Sequence, residues 1–287
     1  MDSTSEPSTA RRGWSWVGRA PLLVLGFIGA RATGLIAHIG SMVLLLGEAG
    51  RWIVRSFTRR KVRIGRPAIV SQIVRIGVRS IFIVSLVSAC VGFILALQLS
   101  PPLDDFGRKD LVANIIGVAV LRELGPLMGA IVLTGFAGAS IAAEIGTMAV
   151  SEEIEALEAH ALNPIRFLVV PRVIAACLSM MSLAVIANLV AISSAMAISI
   201  TTLGIPYATY VENTLDQAKV VDFLTGVGKA AIFGLLIGLI ACGNGLKTSG
   251  GAAGVGRATT GTVVQCVVAV IIADLVFTAM FFALKLN

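Results

Sequence analysis

Residues 115–148, IIGVAVLRELGPLMGAIVLTGFAGASIAAEIGTM, decide the fold class of this chain. The stretch is long, apolar and poor in charge, and it exceeds the ~20 residues that a helix needs to cross a bilayer. The whole chain has this character: of 287 residues, 56% are hydrophobic and 14% are charged, whereas soluble domains carry about 25% charged residues. We therefore predict an all-α integral membrane protein.

Five segments are apolar and long enough to span the membrane, and we number them span one to span five. They cover residues of about 76–99, 112–142, 173–200, 226–245 and 262–284. An odd number of spans predicts that the two termini lie on opposite sides of the membrane.

A further helix is predicted at about 33–60, before span one. Its apolar residues recur at helical spacing, and Arg51, Arg55 and Arg59 lie on roughly the opposite face. This pattern is typical of a helix in the membrane interface with its basic side toward anionic headgroups. The alternative is an additional span at about 22–47. Its charges count against it, because a charge at the bilayer centre costs about 2.5–3.5 kcal/mol on insertion scales.

Charge is distributed unevenly along the chain. Thirteen of the 23 lysines and arginines precede residue 80. A basic segment can bind nucleic acid, but beside membrane spans it indicates a cytoplasmic face. The connections at 100–110 and 204–222 carry six acidic residues and three basic ones. We therefore predict a cytoplasmic N-terminus, an external C-terminus and no nucleic-acid partner.

Residues 151–164, SEEIEALEAHALNP, form an acidic segment between spans two and three. About 12 helical residues are too few to span a bilayer. Ser151 is the expected cap, and Glu152 and Glu153 fall in the first turn, where the helix dipole favours acids. Asn163-Pro164 is the expected end. The helix is either a solvated connector or a docking element for a cytoplasmic partner. Its apolar stripe consists of Ile154, Leu157, Ala161 and Leu162, with Glu158 among the polar positions.

Glycines recur along span two. Gly125 and Gly129 form a GxxxG pattern, and Gly135 and Gly138 follow. Small residues let helix backbones approach closely in lipid. They predict packing within the chain, and they are numerous enough to serve a second subunit as well.

Four charged residues fall inside the predicted spans: Arg122, Glu123, Lys229 and Asp274. Arg122, Glu123 and Asp274 share a depth of about 15 Å at ~1.5 Å per residue. Shared depth predicts a pair of Arg122 with Asp274 or with Glu123, while Lys229 either reaches inward or snorkels to the surface. Charges within the membrane are candidates for a functional site. The alternatives are a structural lock between helices and, less favoured, a proton relay.

Motifs for enzymatic chemistry are missing from the sequence. There is no GxxxxGK[ST] phosphate-binding loop, and the glycine-rich residues 250–260 lack its lysine. The four cysteines fall singly inside apolar runs, so we predict neither a disulfide framework nor a metal site. The chain is not expected to be an enzyme or to bind a cofactor itself.

Residues 121–172 and 250–279 resemble the MlaE/YrbE permeases, which belong to ABC transporters that move lipids together with MCE proteins. The resemblance covers nearly a third of the chain and implies a permease domain at 31–287, with residues 1–30 as a tail outside the match. It implies an interfacial helix, five spans and a coupling helix between spans two and three. It also implies a second permease subunit, identical or related, and a partner ATPase subunit that binds ATP.

The resemblance also assigns roles to residues. The coupling helix would dock into the ATPase, and a lipid pocket would lie at the interface of two permeases, lined by spans one and two. The family's intramembrane charges fall on the four residues named above. One departure is Phe136, since the family often has Arg in this GFAG stretch, so a role of that Arg does not carry over. The implied coupling residues are Glu152, Glu153, Ile154, Leu157, Glu158 and Leu162.

The expected function is that of a permease subunit of an ATP-driven transporter in the bacterial inner membrane. It would move phospholipid or a related lipid between that membrane and an MCE protein. One alternative is a proton-coupled secondary transporter that uses Glu123 or Asp274. A membrane scaffold without transport is the weaker alternative. The sequence specifies neither the lipid nor the direction of transport.

Overall fold

The computed structural model describes residues 19–58 and 65–284. The first helix, α1, runs over Arg19–Thr58, so it begins well before the predicted residue 33, within the segment assigned to the tail. Arg59 and the predicted end at residue 60 lie outside the described residues. The chain divides into two compact units at Leu44, inside α1. The second unit starts at Leu45 and contains the five spans.

Five helices in the described residues are long and apolar enough to cross a membrane, as predicted. Each is longer than its predicted span, because the helix continues beyond the window from which the span was predicted; in span one it includes Arg66 and Asp105. The five spans are Arg66–Asp105, Leu111–Val150, Ile165–Thr201, Val220–Leu246 and Gly251–Ala283.

The helix of span one is interrupted near its start by a 3₁₀ turn. A helix over Arg66–Ile76 is followed by a 3₁₀ turn at Val78–Ser80 and then by a long helix over Ile81–Asp105. Gly77 lies at this junction against span three, where a Cβ would come within 2.7 Å of Ser179 Oγ and 2.9 Å of the Ile73 carbonyl oxygen. A larger residue at Gly77 would therefore disturb the contact between spans one and three.

Span two contains two π-helical segments, at Val120–Leu124 and Thr134–Gly138. In the first, the Gly125 N–H donates to the Val120 carbonyl five residues earlier. Pro126 follows and has no N–H to give the carbonyl four residues before it. The helix therefore widens there, as helices often do at functional sites. This wide turn carries Arg122 and Glu123.

Spans three and four form the centre of the bundle. In span four, Gly234 approaches span three so closely that a Cβ would lie 2.5 Å from the Ala176 carbonyl oxygen. Gly238 lies against Val173 in the same way. Span five is the most exposed: only 11% of its apolar window is buried, against 50% for span three. The outer face of span five is therefore available to lipid or to another subunit.

The two ends of the bundle differ. The acidic-helix end carries the connections 151–164 and 247–250, and the opposite end carries residues 106–110 and the helix Tyr207–Gln217. At the opposite end, Asn213 Nδ2 donates to the Asp110 carbonyl at 2.9 Å. Tyr210 is buried there, and its burial raises the pKa of the phenol to about 12. The phenol is therefore neutral at physiological pH.

Candidate functional site

A buried lysine is the centre of the charges within the spans. The Lys229 side chain is 1% exposed, and its ammonium donates to Glu123 Oε1 at 2.6 Å, Asp274 Oδ1 at 3.0 Å and Thr278 Oγ1 at 3.1 Å. An ammonium has three hydrogens, so each has an acceptor. Lys229 thereby joins spans two, four and five. We call these four residues the Lys229 cluster.

The Lys229 cluster is covered by Thr278 and Phe281 and is partly exposed at its two carboxylates. Thr278 Oγ1 donates to Glu123 Oε1 at 3.0 Å, and the Lys229 ammonium lies 5.8 Å from the centre of the Phe281 ring. Asp274 is 15% exposed and Glu123 is 33% exposed. The cluster therefore reaches the surface of the chain through Glu123. With both carboxylates ionised it holds one excess negative charge, which a proton or a second cation would neutralise.

Arg122 has a different neighbour from the ones that its depth predicted. Its Nε lies 3.6 Å from Asp222 Oδ1, whereas Lys229 is the cation that holds both Glu123 and Asp274. The reason is geometric: adjacent helical residues point about 100° apart, so Arg122 and Glu123 face different partners. Against the predicted pairing of Arg122 with Asp274 or with Glu123, the structure places Arg122 beside Asp222 and both of those carboxylates on Lys229, which reaches inward rather than snorkelling.

The sequence reasoning missed Asp222 and Thr278. Asp222 was assigned to the external connection, but it is the first-turn acid of span four, and its Oδ2 accepts the Lys219 N–H at 3.2 Å. The signal was present in the sequence. Asp222 and Lys229 are seven residues apart, about two helical turns, and therefore lie on one face of the same helix.

The four glycines of span two divide by environment. A Cβ at Gly125 would overlap Asn188 Oδ1, one at Gly129 would lie 3.0 Å from Met180 Cε, and Gly138 lies against Ile237. These three pack within the chain, as the small residues predicted. Gly135 is exposed, with nothing within 4 Å of its Cβ position. Of the four, it alone is placed to contact a second subunit.

A second charged group lies nearer the acidic-helix end, and the sequence reasoning did not single it out. Glu144 of span two pairs with Arg75 of span one and accepts from Arg172 Nη2 of span three at 3.1 Å. Arg172 is 8% exposed and also donates to the Leu168 carbonyl at 3.0 Å. This group ties the first three spans together.

The acidic segment forms a helix over Glu153–Ala159, shorter than predicted. Ser151 does not cap it, because its hydroxyl donates to the Thr147 carbonyl at 2.9 Å. The cap residue is Glu152, which has a left-handed φ of 62°. Nor does Asn163 end the acidic helix, which stops at Ala159. Instead, Asn163 Oδ1 accepts the Arg166 N–H at 3.1 Å, at the start of span three.

The side chains of this helix divide into two groups. Ile154 packs against the core of the chain, and Leu157 is half-buried. Leu162, beyond the helix end, is 38% exposed. The glutamates are all exposed: Glu152, Glu153, Glu155 and Glu158. The predicted apolar stripe therefore serves the chain's own packing at Ile154, and Leu162 is its free end.

The exit from the acidic helix is held by α1. Asn163 Nδ2 donates to Glu48 Oε1 at 3.4 Å. The Arg166 guanidinium lies 5.6 Å from the centre of the Trp52 ring and 5.2 Å from that of Phe167, within the range of cation–π attraction. We call the contacts of Glu48 and Trp52 with Asn163 and Arg166 the clasp.

Residues 69–280, which include the Lys229 cluster, the acidic helix and Glu144, match a family model described as permease MlaE. The chain belongs to the MlaE permease family. It is therefore a permease subunit and a multi-pass membrane protein, as its resemblance to MlaE/YrbE permeases predicted.

Relatives of this MlaE-family chain include proteins named as ABC transporter permeases. A probable ABC transporter permease protein of Rickettsia prowazekii (strain Madrid E) is 35% identical over 214 residues, 75% of this chain and 83% of that one. One of Rickettsia felis is 32% identical over 261 residues, 91% and 98% of the two chains. The chloroplastic protein TRIGALACTOSYLDIACYLGLYCEROL 1 of Arabidopsis thaliana is 34% identical over 211 residues, 74% and 60%.

Proposed function

We propose that this MlaE-family chain is the membrane subunit of an ATP-driven transporter that moves phospholipid or a related lipid between the bacterial inner membrane and an MCE protein. The observation that carries the proposal is the exposed acidic helix between spans two and three of an MlaE permease. The names of the Rickettsia relatives support ATP-driven transport. The name of the Arabidopsis relative is that of a lipid, which supports the substrate class.

The acidic helix is the proposed contact for the ATPase, which would hydrolyse ATP because this chain lacks a phosphate-binding loop. Four exposed glutamates give the helix a negative outer surface, and Leu162 adds an exposed apolar side chain at its end. The helix connects directly to spans two and three. A push from the ATPase would thus reach the span that carries Glu123 and Glu144.

A second permease, identical or related, is proposed to pack against the exposed part of span two. Gly135 and Phe136 are both exposed there, and Phe136 retains 43% of its accessible surface. Span five adds a largely unburied apolar face. The lipid pocket is proposed to lie where spans one and two of the two permeases meet.

The test is reconstitution. We expect the tagged chain, purified in mild detergent, to bring an ATPase with it. In proteoliposomes this complex should transfer a fluorescent phospholipid to a soluble MCE domain only when ATP is hydrolysed. Purification without an ATPase, together with transfer that is indifferent to ATP, would overturn the proposal.

A proton-coupled transporter is the second candidate, and the Lys229 cluster favours it specifically. Two carboxylates share one ammonium inside the spans, and such a pair can hold a proton between them. On this alternative, lipid movement would follow a pH gradient, stop on addition of a protonophore and stop in Glu123→Gln. ATP-driven transfer that survives the protonophore contradicts it.

A further inference from the structure

Two adjacent cavities lie beside Glu144, away from the Lys229 cluster. The larger, of about 530 Å³, is lined by residues of spans one, two and three that include Arg75, Glu144 and Arg172. The smaller, of about 70 Å³, shares Arg75, Ser140 and Glu144 and adds Arg79, Gln72 and Phe136. Because they share three lining residues, we treat them as one arginine cleft. The larger volume alone lies within the ~300–1,000 Å³ typical of ligand pockets.

The charge of the arginine cleft is positive. Arg75, Arg79 and Arg172 supply three cations, and Glu144 supplies one anion. Glu144 is already engaged by two of the arginines, so it does not present a free carboxylate to a ligand. Arg79 makes no hydrogen bond or ion pair with any residue that the structure describes. A cation free to bind therefore stands at the edge of a cleft with two net positive charges.

Two polar atoms of the cleft are buried without a partner among residues 19–58 and 65–284. They are Arg172 Nε, a donor on a side chain that is 10% exposed, and Gln72 Oε1, an acceptor. Buried polar atoms are normally hydrogen-bonded, and an orphan calls for an unseen partner. A ligand with an anionic oxygen and a hydroxyl group has the chemistry that these two atoms lack.

We propose that the arginine cleft binds a phosphate group, as carried by the headgroup of an anionic phospholipid or by free phosphate. Arginine is the residue best suited to phosphate, because its planar guanidinium donates paired hydrogen bonds. Basic pockets between membrane helices near one surface recognise anionic headgroups in this way. Arg75 and Arg79 lie near the start of span one, at the end of the bundle that carries the acidic helix, where a headgroup would lie.

The inference deepens the proposed function and rests on it for the part that binding plays in transport. The cleft would hold the headgroup of a lipid at the acidic-helix end, separate from the Lys229 cluster. The binding itself needs neither ATP nor an ATPase. Failure of the binding test is therefore distinguishable from failure of the reconstitution described above.

The test is a titration of the full chain in neutral detergent, with its unfolding temperature as the readout of bound ligand. The probes are dihexanoyl phosphatidylglycerol, dihexanoyl phosphatidylcholine and inorganic phosphate. Phosphatidylglycerol is chosen because its glycerol hydroxyls can donate to Gln72 Oε1. We expect it to bind at least ~10-fold more tightly than phosphatidylcholine, since its charge is uncompensated and a charge-assisted hydrogen bond is worth about this factor or more.

The variants are Arg79→Gln and Arg79→Glu, with Arg66→Gln as control. Arg79 has no hydrogen bond or ion pair to lose within residues 19–58 and 65–284, so its replacement should not harm folding, and Arg66 is an exposed arginine of the same span outside the cleft. Arg79→Gln should weaken phosphatidylglycerol binding roughly 10-fold, Arg79→Glu should abolish it, and Arg66→Gln should leave it unchanged.

The probes separate the two sources of phosphate. If Arg79→Gln weakens phosphatidylglycerol binding and inorganic phosphate does not bind, the ligand is a lipid headgroup. Equal binding of inorganic phosphate, weakened by Arg79→Gln, supports free phosphate. If Arg79→Gln and Arg66→Gln bind every probe as the unaltered chain does, the arginine cleft is not a phosphate site.

Discussion

Asp222 and Lys229 lie about two turns apart on span four, and each faces one of two adjacent residues of opposite charge on span two. Lys229 holds Glu123 at 2.6 Å, and Asp222 lies 3.6 Å from Arg122. The order of charges on the two helices is complementary. Arg122 precedes Glu123 on span two, and their partners Asp222 and Lys229 follow in the same order on span four. A slip of one helix along the other would separate both pairs, so the charges fix the axial register of the two spans.

Replacement of Lys229 should be strongly destabilising. Lys229→Met removes the only ammonium that contacts Glu123 and Asp274 among the residues described, and leaves two carboxylates facing each other. Breaking a buried pair costs about 3–5 kcal/mol in soluble proteins, and values within membranes are lower. We expect a fall in unfolding temperature and yield, with partial rescue in the triple variant that adds Glu123→Gln and Asp274→Asn.

Variants of exposed ion pairs serve as controls for the effect of Lys229→Met on the unfolding temperature. Lys109→Met breaks an exposed pair with Asp104, worth about 0–1 kcal/mol. Arg122→Ala should be intermediate, and should cost more than Arg108→Ala, because the Asp222 side chain is only 10% exposed while both partners of the Arg108 pair are exposed. Equal unfolding temperatures for Lys229→Met and Lys109→Met would show that the Lys229 cluster does not stabilise the fold.

The acidic helix gives a prediction about docking. Leu162 is exposed and Ile154 is packed inward, so Leu162→Asp should weaken ATPase binding without unfolding the permease. A charge placed in a buried apolar contact costs several kcal/mol, whereas Glu158→Ala removes a surface charge worth about 0–1 kcal/mol. Leu157→Asp should act like Leu162→Asp but also lower the unfolding temperature, because Leu157 is half-buried in the chain itself. The readout is the amount of ATPase that co-purifies.

Retention of a full complement of ATPase by both Leu162→Asp and Leu157→Asp would instead make the helix a solvated connector.

Variants at two glycines of span two test packing within the chain and packing between chains separately. Gly125→Ala should lower the unfolding temperature, since its Cβ would overlap the amide of Asn188. Gly135→Leu meets open space, so it should fold normally and reduce the fraction of permease dimer in a cross-linking experiment. A normal dimer fraction in Gly135→Leu would place the second subunit on another face.

The predicted orientation, with the acidic helix cytoplasmic and residues 100–110 external, rests on the distribution of charge along the sequence. In a cysteine-free background, Ser151→Cys should resist an impermeant thiol reagent in intact cells, and Asp105→Cys should react. Both positions are exposed in the isolated chain; because a docked ATPase would shield Ser151, the same reagent is also applied to permeabilised cells, in which Ser151→Cys should react. Reaction at Ser151→Cys in intact cells would reverse the proposed orientation.

The spans could be predicted from sequence because their signal is local: twenty apolar residues in a row require a bilayer whatever they contact. Their boundaries could not, since Arg66 and Asp105 are polar yet helical. The partner of Arg122 depends on the direction in which its side chain points around the helix. Depth in the membrane does not specify that direction. Glu144 was missed because its partners, Arg75 and Arg172, come from two other spans and are far away in the chain.

The acidic helix illustrates the same limit. Its composition predicted an exposed helix, and its glutamates are exposed. Whether Ile154 faces inward or outward depends on the core beneath it, which only the assembled bundle defines. The contact of Asn163 with Glu48 spans 115 positions of sequence, and no local pattern encodes it.

The clasp connects the exit of the acidic helix to α1. A force on the acidic helix reaches span three through the backbone and reaches α1 through the clasp. Leu46 and Val54 on α1 are 40% and 64% exposed, and a helix at the membrane interface, as predicted for this segment, would present them to lipid. Coupling between two sites is reciprocal. We therefore expect lateral pressure in the bilayer to change the affinity of the ATPase contact proposed on the acidic helix.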